Sequence, residues 1–285
     1  MESSPLLAAQ PIYDRKNRFY AVELLYRSAI HLSAETVGDT AATSEVVFNL
    51  CAGITEQTTQ YDATAFINVS SDFLLSQSFL PIEPDKVVIE LLETIKPTRA
   101  VVNAVARWHE KGFRFALDDF EFDPAWEPLL KYASYIKVDV STVTIDQVRA
   151  FKQETTTFKG KWLAERVEDE ATKNAYEELG FDLFQGYYFA KPEVIYGTRL
   201  EPSSLQLAKV LSLCFEKEPD LTELSRVISE DPKLSVSLLK IVNSPLYPTA
   251  SPITRVKDVI MRLGIEKLRR WIALIGSVEA SSQEA

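Results

Sequence analysis

The stretch Arg114-Phe115-Ala116-Leu117-Asp118-Asp119-Phe120 sets two adjacent carboxylates at the end of an apolar run. The run reads as a buried strand, and a strand buried on both faces has no packing use for charge. A metal ion, another cation or water must therefore meet the pair at the strand end. The pattern recurs along the chain. Tyr20-Ala21-Val22-Glu23, Ala65-Phe66-Ile67-Asn68, Val87-Val88-Ile89-Glu90, Tyr135-Ile136-Lys137 and Trp162-Leu163-Ala164-Glu165 each end an apolar run in one ionisable or amide group, and Phe181 to Gln185 ends in an amide. Amphipathic segments long enough for helices separate these runs, so strand and helix alternate. Alternation argues for a parallel β/α arrangement. In a closed, TIM-like (β/α)8 barrel the strand C termini converge on one face, where catalytic groups gather. The seven ends would then line one acidic pocket that holds a single lysine.

The alternation stops near residue 198. Beyond it the apolar spacing is helical throughout, broken at Pro219-Asp220, Asp231-Pro232 and Asn243-Ser244-Pro245. We therefore expect a barrel domain over residues 1–198 and a smaller all-α domain over 199–285. The net charge of -10 speaks against nucleic-acid binding, because no basic stripe is available to neutralise phosphates. Cys51 and Cys214 fall in apolar helical patterns and read as buried thiols of a cytosolic protein. No basic region followed by an apolar stretch opens the chain, and no apolar run approaches a membrane span. The expectation is a cytoplasmic protein without membrane contact.

Carboxylates and an amide oxygen are hard ligands that suit Mg2+, Mn2+ or Ca2+ better than zinc. The only histidines, His31 and His109, are not at strand ends, so imidazole chemistry is not on offer. A carboxylate-rich pocket with one lysine fits metal-assisted phosphodiester hydrolysis. Glu23, Asn68, Glu90 and Asp118 would hold a first ion, Asp119 could serve a second, and Glu165 or Lys137 would position water. Any one of these acids alone is more often a helix cap or a rim ion pair. Their joint occurrence at successive strand ends carries the reading.

The motifs Glu23-Leu24-Leu25-Tyr26-Arg27, Asn68-Val69-Ser70, Glu90-Leu91-Leu92-Glu93, Asp118-Asp119-Phe120, Lys137-Val138-Asp139, Ala164-Glu165-Arg166-Val167-Glu168 and Gln185-Gly186-Tyr187 together resemble those of EAL domains, over roughly residues 7 to 195. The resemblance implies a barrel that cuts cyclic di-GMP to linear pGpG with Mg2+ or Mn2+. It implies metal ligands at Glu23, Asn68, Glu90 and Asp118, and second-ion or water-positioning roles for Asp119 and Lys137. Glu165 would be the general base, while Gln10, Arg27 and Gln185 would fall in the substrate-binding set. EAL domains often pair through a barrel helix and a neighbouring loop, which makes a homodimer one expectation.

Departures from the family pattern bear on activity. The name-giving Glu-Ala-Leu is Glu23-Leu24-Leu25 here. Active members usually continue Gly-Thr-Gly after Asp-Asp-Phe, whereas this chain has Glu121-Phe122-Asp123, and Arg166 replaces a glycine after the proposed base. Glycine tolerates backbone angles that these residues resist, so another loop shape is expected. Arg166 would also bring a cation to the pocket, able to pair with a carboxylate in place of a metal. Three readings stay open: a degenerate barrel acting as a sensor or protein-interaction module, an active metal-dependent phosphodiesterase, and use of the barrel on another phosphodiester.

Asp220 to Leu224, Ile228 to Ser235, Leu239 to Ser244 and Ile253 to Val256 resemble the start of an HDOD domain, a helical relative of HD phosphohydrolases that lacks their metal-binding His-Asp pair. Residues 199–285 contain no histidine, in keeping with that. The stretch reads as an incomplete HDOD domain with a regulatory role, through which a protein partner would bind. A helical bundle that only packs on the barrel is the plainer alternative.

Overall fold

In a computed structural model of the chain, the described residues are 4–26, 64–75, 80, 82–155, 158–197, 202–216, 218–244, 247 and 249–283. Arg27 and Cys51 lie outside them. The strands are β1 (Ser4–Asp14), β2 (Phe19–Tyr26), β3 (Thr64–Asn68), β4 (Val87–Leu91), β5 (Arg114–Leu117), β6 (Ala133–Asp139), β7 (Lys161–Glu165), β8 (Leu183–Phe184) and β9 (Glu193–Gly197). They form one sheet in the order β2-β3-β4-β5-β6-β7-β8-β1-β9, and β1 pairs back onto β2 to close a ring of eight. From β2 to β8 the neighbours are parallel. β1 runs antiparallel to both β2 and β8, and β9 adds to it from outside the ring.

The reversal of β1 has a local cause. Asp14 Oδ1 accepts hydrogen bonds from the backbone N–H of Lys16 (2.8 Å) and Arg18 (2.9 Å), and Asn17 takes φ 56°. That turn is too short for the crossover a parallel pair requires, so it can join only antiparallel strands.

On the barrel's flank lie α1 (Ser71–Leu75), α2 (Arg99–Glu110), α3 (Glu127–Leu130), α4 (Ile145–Glu154) and α5 (Glu170–Glu178). Start and stop residues explain their limits. Thr98 caps α2 through the N–H of Val101, and Gly112 at φ 90° follows its end. Thr144 and Gln147 form a reciprocal capping box on α4. Inside the ring, Ile12, Ala21, Phe66, Val88, Ala116, Tyr135, Leu163 and Leu183 make a separate apolar plug. One residue comes from each ring strand, which is the layered filling of a barrel core.

The C-terminal part is helical: α6 (Ser204–Cys214), α7 (Leu221–Ser229), α8 (Pro232–Val242) and α9 (Val256–Gln283), the last interrupted by Gly264 at φ 73°. Asp220 and Asp231 cap α7 and α8, so the first two polar breaks in the sequence are helix starts, and Asn243 at the third closes α8. Trp271 is fully buried and donates its indole N–H to Tyr247 Oη at 3.1 Å. Cys214 is buried, and desolvation pushes its thiol up to about 11. Between barrel and helices, Lys267 Nζ lies 2.5 Å from Glu83 Oε1, ahead of β4 and so at the end opposite the strand C termini. Among the described residues, no helix is long and apolar enough to cross a membrane.

Candidate functional site at the strand ends

Side chains two residues apart on a strand share a face. Stepping two residues from each member of the apolar plug leads from Ala21 to Glu23, Phe66 to Asn68, Val88 to Glu90, Ala116 to Asp118, Tyr135 to Lys137, Leu163 to Glu165 and Leu183 to Gln185. On the reversed β1 the step runs backwards, from Ile12 to Gln10. The expected site residues therefore form one polar layer stacked on the apolar one. Register supports the grouping: Gln10 lies opposite Glu23, Asn68 opposite Glu90, and Asp139 opposite Glu165.

Lys137 stands at the centre, fully buried. Its Nζ lies 2.6 Å from Glu90 Oε1, 2.6 Å from Asp118 Oδ1, 3.0 Å from Glu165 Oε1 and 3.1 Å from Glu23 Oε1. Gln185 Nε2 donates to the other Glu23 oxygen at 2.5 Å, which fixes that carboxylate from a second side. An ammonium has three N–H donors, fewer than the four carboxylates it faces. Glu90 Oε2 and Glu165 Oε2 are buried and accept no hydrogen bond. Oxygens of Glu23, Glu90 and Asp118 lie within 4.8 Å of one another. Surplus negative charge, converging oxygens and missing donors all fit a hard divalent cation.

The protonation equilibria reflect that surplus. Burial raises Asp118 to about 6, helped by the neighbouring Glu23 and Asp119 charges and opposed by Lys137. Burial also lifts Glu90 and Glu165 well above the usual carboxylate range. Glu23 goes the other way: burial would raise it, but Lys137 and the Gln185 amide hold it below its ordinary value. For Lys137, desolvation would lower the pKa, yet the surrounding acids keep it well above that of a free lysine. These opposed shifts come from burial and charge contacts acting together.

Asp119 stands apart from the Lys137 cluster. It is half-buried at φ 40°, and its carboxyl is raised by desolvation and by the nearby Asp139 charge, against the pull of Lys137 and Arg166. Asp139 itself is buried. Its Oδ1 accepts from Ser141 N (2.8 Å) and Ser141 Oγ (2.6 Å), and its Oδ2 lies 3.1 Å from Arg166 Nε. Sequence reasoning quoted Asp139 in a motif without giving it a site role. Its position two residues beyond Lys137, hence on the same strand face, was the available sign.

The altered loop is as unusual in backbone as in sequence. Glu121 and Asp123, where glycines were expected, do not need positive φ; Phe122 between them does, at 64°. Its ring packs on Phe151 with centroids 4.7 Å apart, while Trp126 is buried beside Phe120. These aromatics pack the loop down. Arg166 adopts φ 55° at the position where the resemblance expects glycine, a conformation that costs a non-glycine residue about 1 kcal/mol. Glu93 is exposed on the turn after β4.

Comparison with known proteins agrees with this geometry. The EAL domain family profile matches residues 6–192, and that of the HDOD domain matches residues 202–285. The protein named "Cyclic di-GMP phosphodiesterase CdgJ" from Vibrio cholerae is 28% identical over 98% of this chain. The chain spans 65% of CdgJ's length. Among solved structures, the PaMucR phosphodiesterase in complex with c-di-GMP aligns with a TM-score of 0.56 at 21% identity, covering 66% of this chain and 96% of that one. The manganese/c-di-GMP complex of BlrP1 from Klebsiella pneumoniae gives 0.53 at 21%, covering 68% of this chain and 57% of that one. At such identities the structural matches establish the barrel fold. From its profile match, its ring of strands and its polar layer, the chain belongs to the EAL domain family and carries an HDOD domain behind the barrel.

Proposed function

We propose that this protein is a cytoplasmic cyclic-di-GMP signalling module whose barrel binds the dinucleotide at the polar layer through a divalent cation, Mg2+ or Mn2+ in the cell, and does not turn it over efficiently. The carrying observation is the Lys137 cluster, in which four carboxylates, three of them buried, outnumber the donors of one ammonium. A dianionic ligand would be repelled by these acids alone, so binding requires the cation. Glu23, Glu90 and Asp118, with Asn68 beside them, would hold that ion, which when bound neutralises phosphate charge. Lys137 keeps the acids converged, and Gln185 orients Glu23. Gln10, opposite Glu23 in register, and Arg27 would contact the ligand.

Reduced turnover is supported by the Glu121-Phe122-Asp123 loop and by Arg166, both departures from the active pattern beside Asp119. A second reading, an active phosphodiesterase, is favoured by one specific observation. Glu165 sits at the end of β7 among the proposed ion ligands, with Oε1 3.0 Å from Lys137 Nζ and Oε2 engaged by no protein donor, the placement a general base needs. CdgJ's name points the same way. The two domains are assigned to residues 1–198 and 199–285, with the helical one as the protein-interaction unit and a homodimer as the form to test.

Calorimetric titration of cyclic di-GMP into the full chain tests the binding step. Heat of binding is expected with Ca2+ present and is lost with EDTA or in Glu90→Gln. No binding with Ca2+ overturns the proposal.

A further inference from the structure

We infer that Arg166 occupies the position of a second cation, so that the polar layer takes up one divalent ion although more acids gather there than one ion and Lys137 balance. This rests on the reading above that the layer holds a divalent ion at all. Two groups of acids lie side by side. Glu23, Glu90, Asp118 and Glu165 surround Lys137, and the first three bring oxygens within 4.8 Å of one another. Asp119 follows Asp118 directly, and Asp139 lies opposite Glu165 in register, so both adjoin the first group. Together these six acids carry more negative charge than Lys137 and one divalent ion can balance.

The second group already has its cation. Arg166 Nε meets Asp139 Oδ2 at 3.1 Å, and the Asp139 carboxylate is 5% exposed, so the pair is sheltered on the acid side. Ser141 takes the other Asp139 oxygen through its N–H and its hydroxyl, which leaves that carboxylate fully engaged. Arg166 reaches this place because it follows Glu165 in a left-handed conformation, φ 55°, while Asp139 faces Glu165 across β6 and β7. An extended residue there would continue the strand and carry its side chain to the opposite barrel face. The conformation that disfavours arginine is thus the one that delivers its charge to Asp139. A guanidinium is always charged and is fixed to its chain, so it does not exchange with free ions.

The test counts ions. The full chain is titrated with Mn2+, and free Mn2+ is followed by electron paramagnetic resonance, for wild type, Arg166→Gly and Arg166→Lys. Glycine suits a φ of 55°, so Arg166→Gly is expected to fold, which far-ultraviolet circular dichroism checks. The expected stoichiometry is one ion for wild type, two for Arg166→Gly, and one for Arg166→Lys, which keeps the charge. Two ions in wild type, or one in Arg166→Gly, overturns the role of Arg166 while leaving the cation site standing. No bound ion in either protein removes the cation site itself and this inference with it.

Discussion

Lys137 is a buried lysine that is not optional. Replacing it by methionine keeps the stem and leaves four acids facing one another without their cation. Removing one partner from a buried ionic cluster costs about 3–5 kcal/mol, so Lys137→Met should unfold at markedly lower denaturant concentration at pH 7.5. Saturating Ca2+ should recover part of the loss, and an unchanged midpoint would refute the central role of Lys137. Asp118 supplies a pH dependence. Its folded pKa of about 6 lies above its ordinary value of 3.8. In metal-free protein the folded state therefore holds the proton more tightly than the unfolded state, and this contribution to stability is lost as pH rises through that window. A bound cation must displace that proton, so affinity moves with pH in the opposite sense. Mn2+ affinity should be at least about tenfold weaker at pH 5 than at pH 7, since Asp118 alone gives up one proton across a pKa near 6 and the raised Glu90 adds to the effect in the same sense. Equal affinities at the two values would show that Asp118 is not a ligand.

At the level of elements, the sequence was most legible where physics leaves least freedom. A carboxylate at the end of an apolar strand has few explanations, and Glu23, Glu90, Asp118, Lys137 and Glu165 all meet in the structure as expected. Asn68, Gln185 and Gln10 join the same layer, whereas Asp119 turns out of it. What escaped was relational. Asp139 acquires meaning only from β7 beside it, and Arg166 only from a backbone angle that no side-chain pattern records. Loop conformation was also hidden: glycine loss at 121 and 123 implied another loop shape, but not that the positive φ would fall on Phe122. Two elements offer direct tests. A Cβ on Gly186 would lie 2.3 Å from the backbone of Val167, at φ 149°, where β8 turns into the polar layer. Gly186→Ala should cost about 3 kcal/mol or more by forced overpacking, measured by urea denaturation. Asp231 caps α8 and also accepts from Ser203 N at 2.8 Å, tying α6 to it. Asp231→Ala should lose about 1–2 kcal/mol, and a loss confined to a few tenths would mean that water replaces the cap.

For the whole molecule, the arrangement separates two ends of a barrel. The polar layer opens at the strand C termini, while the Lys267–Glu83 contact from the helical domain lies at the other end. That pair is half-exposed, so Glu83→Gln should change stability by less than about 1 kcal/mol and leave ligand binding untouched, as thermal melts and the calorimetric titration would show. The most direct test of a barrel that holds cyclic di-GMP without consuming it is chromatography of the dinucleotide after prolonged incubation with stoichiometric protein and Mn2+. Intact cyclic di-GMP, bound and recoverable on denaturation, is the expected result; accumulation of linear pGpG through many turnovers would contradict it and identify the protein as an active phosphodiesterase.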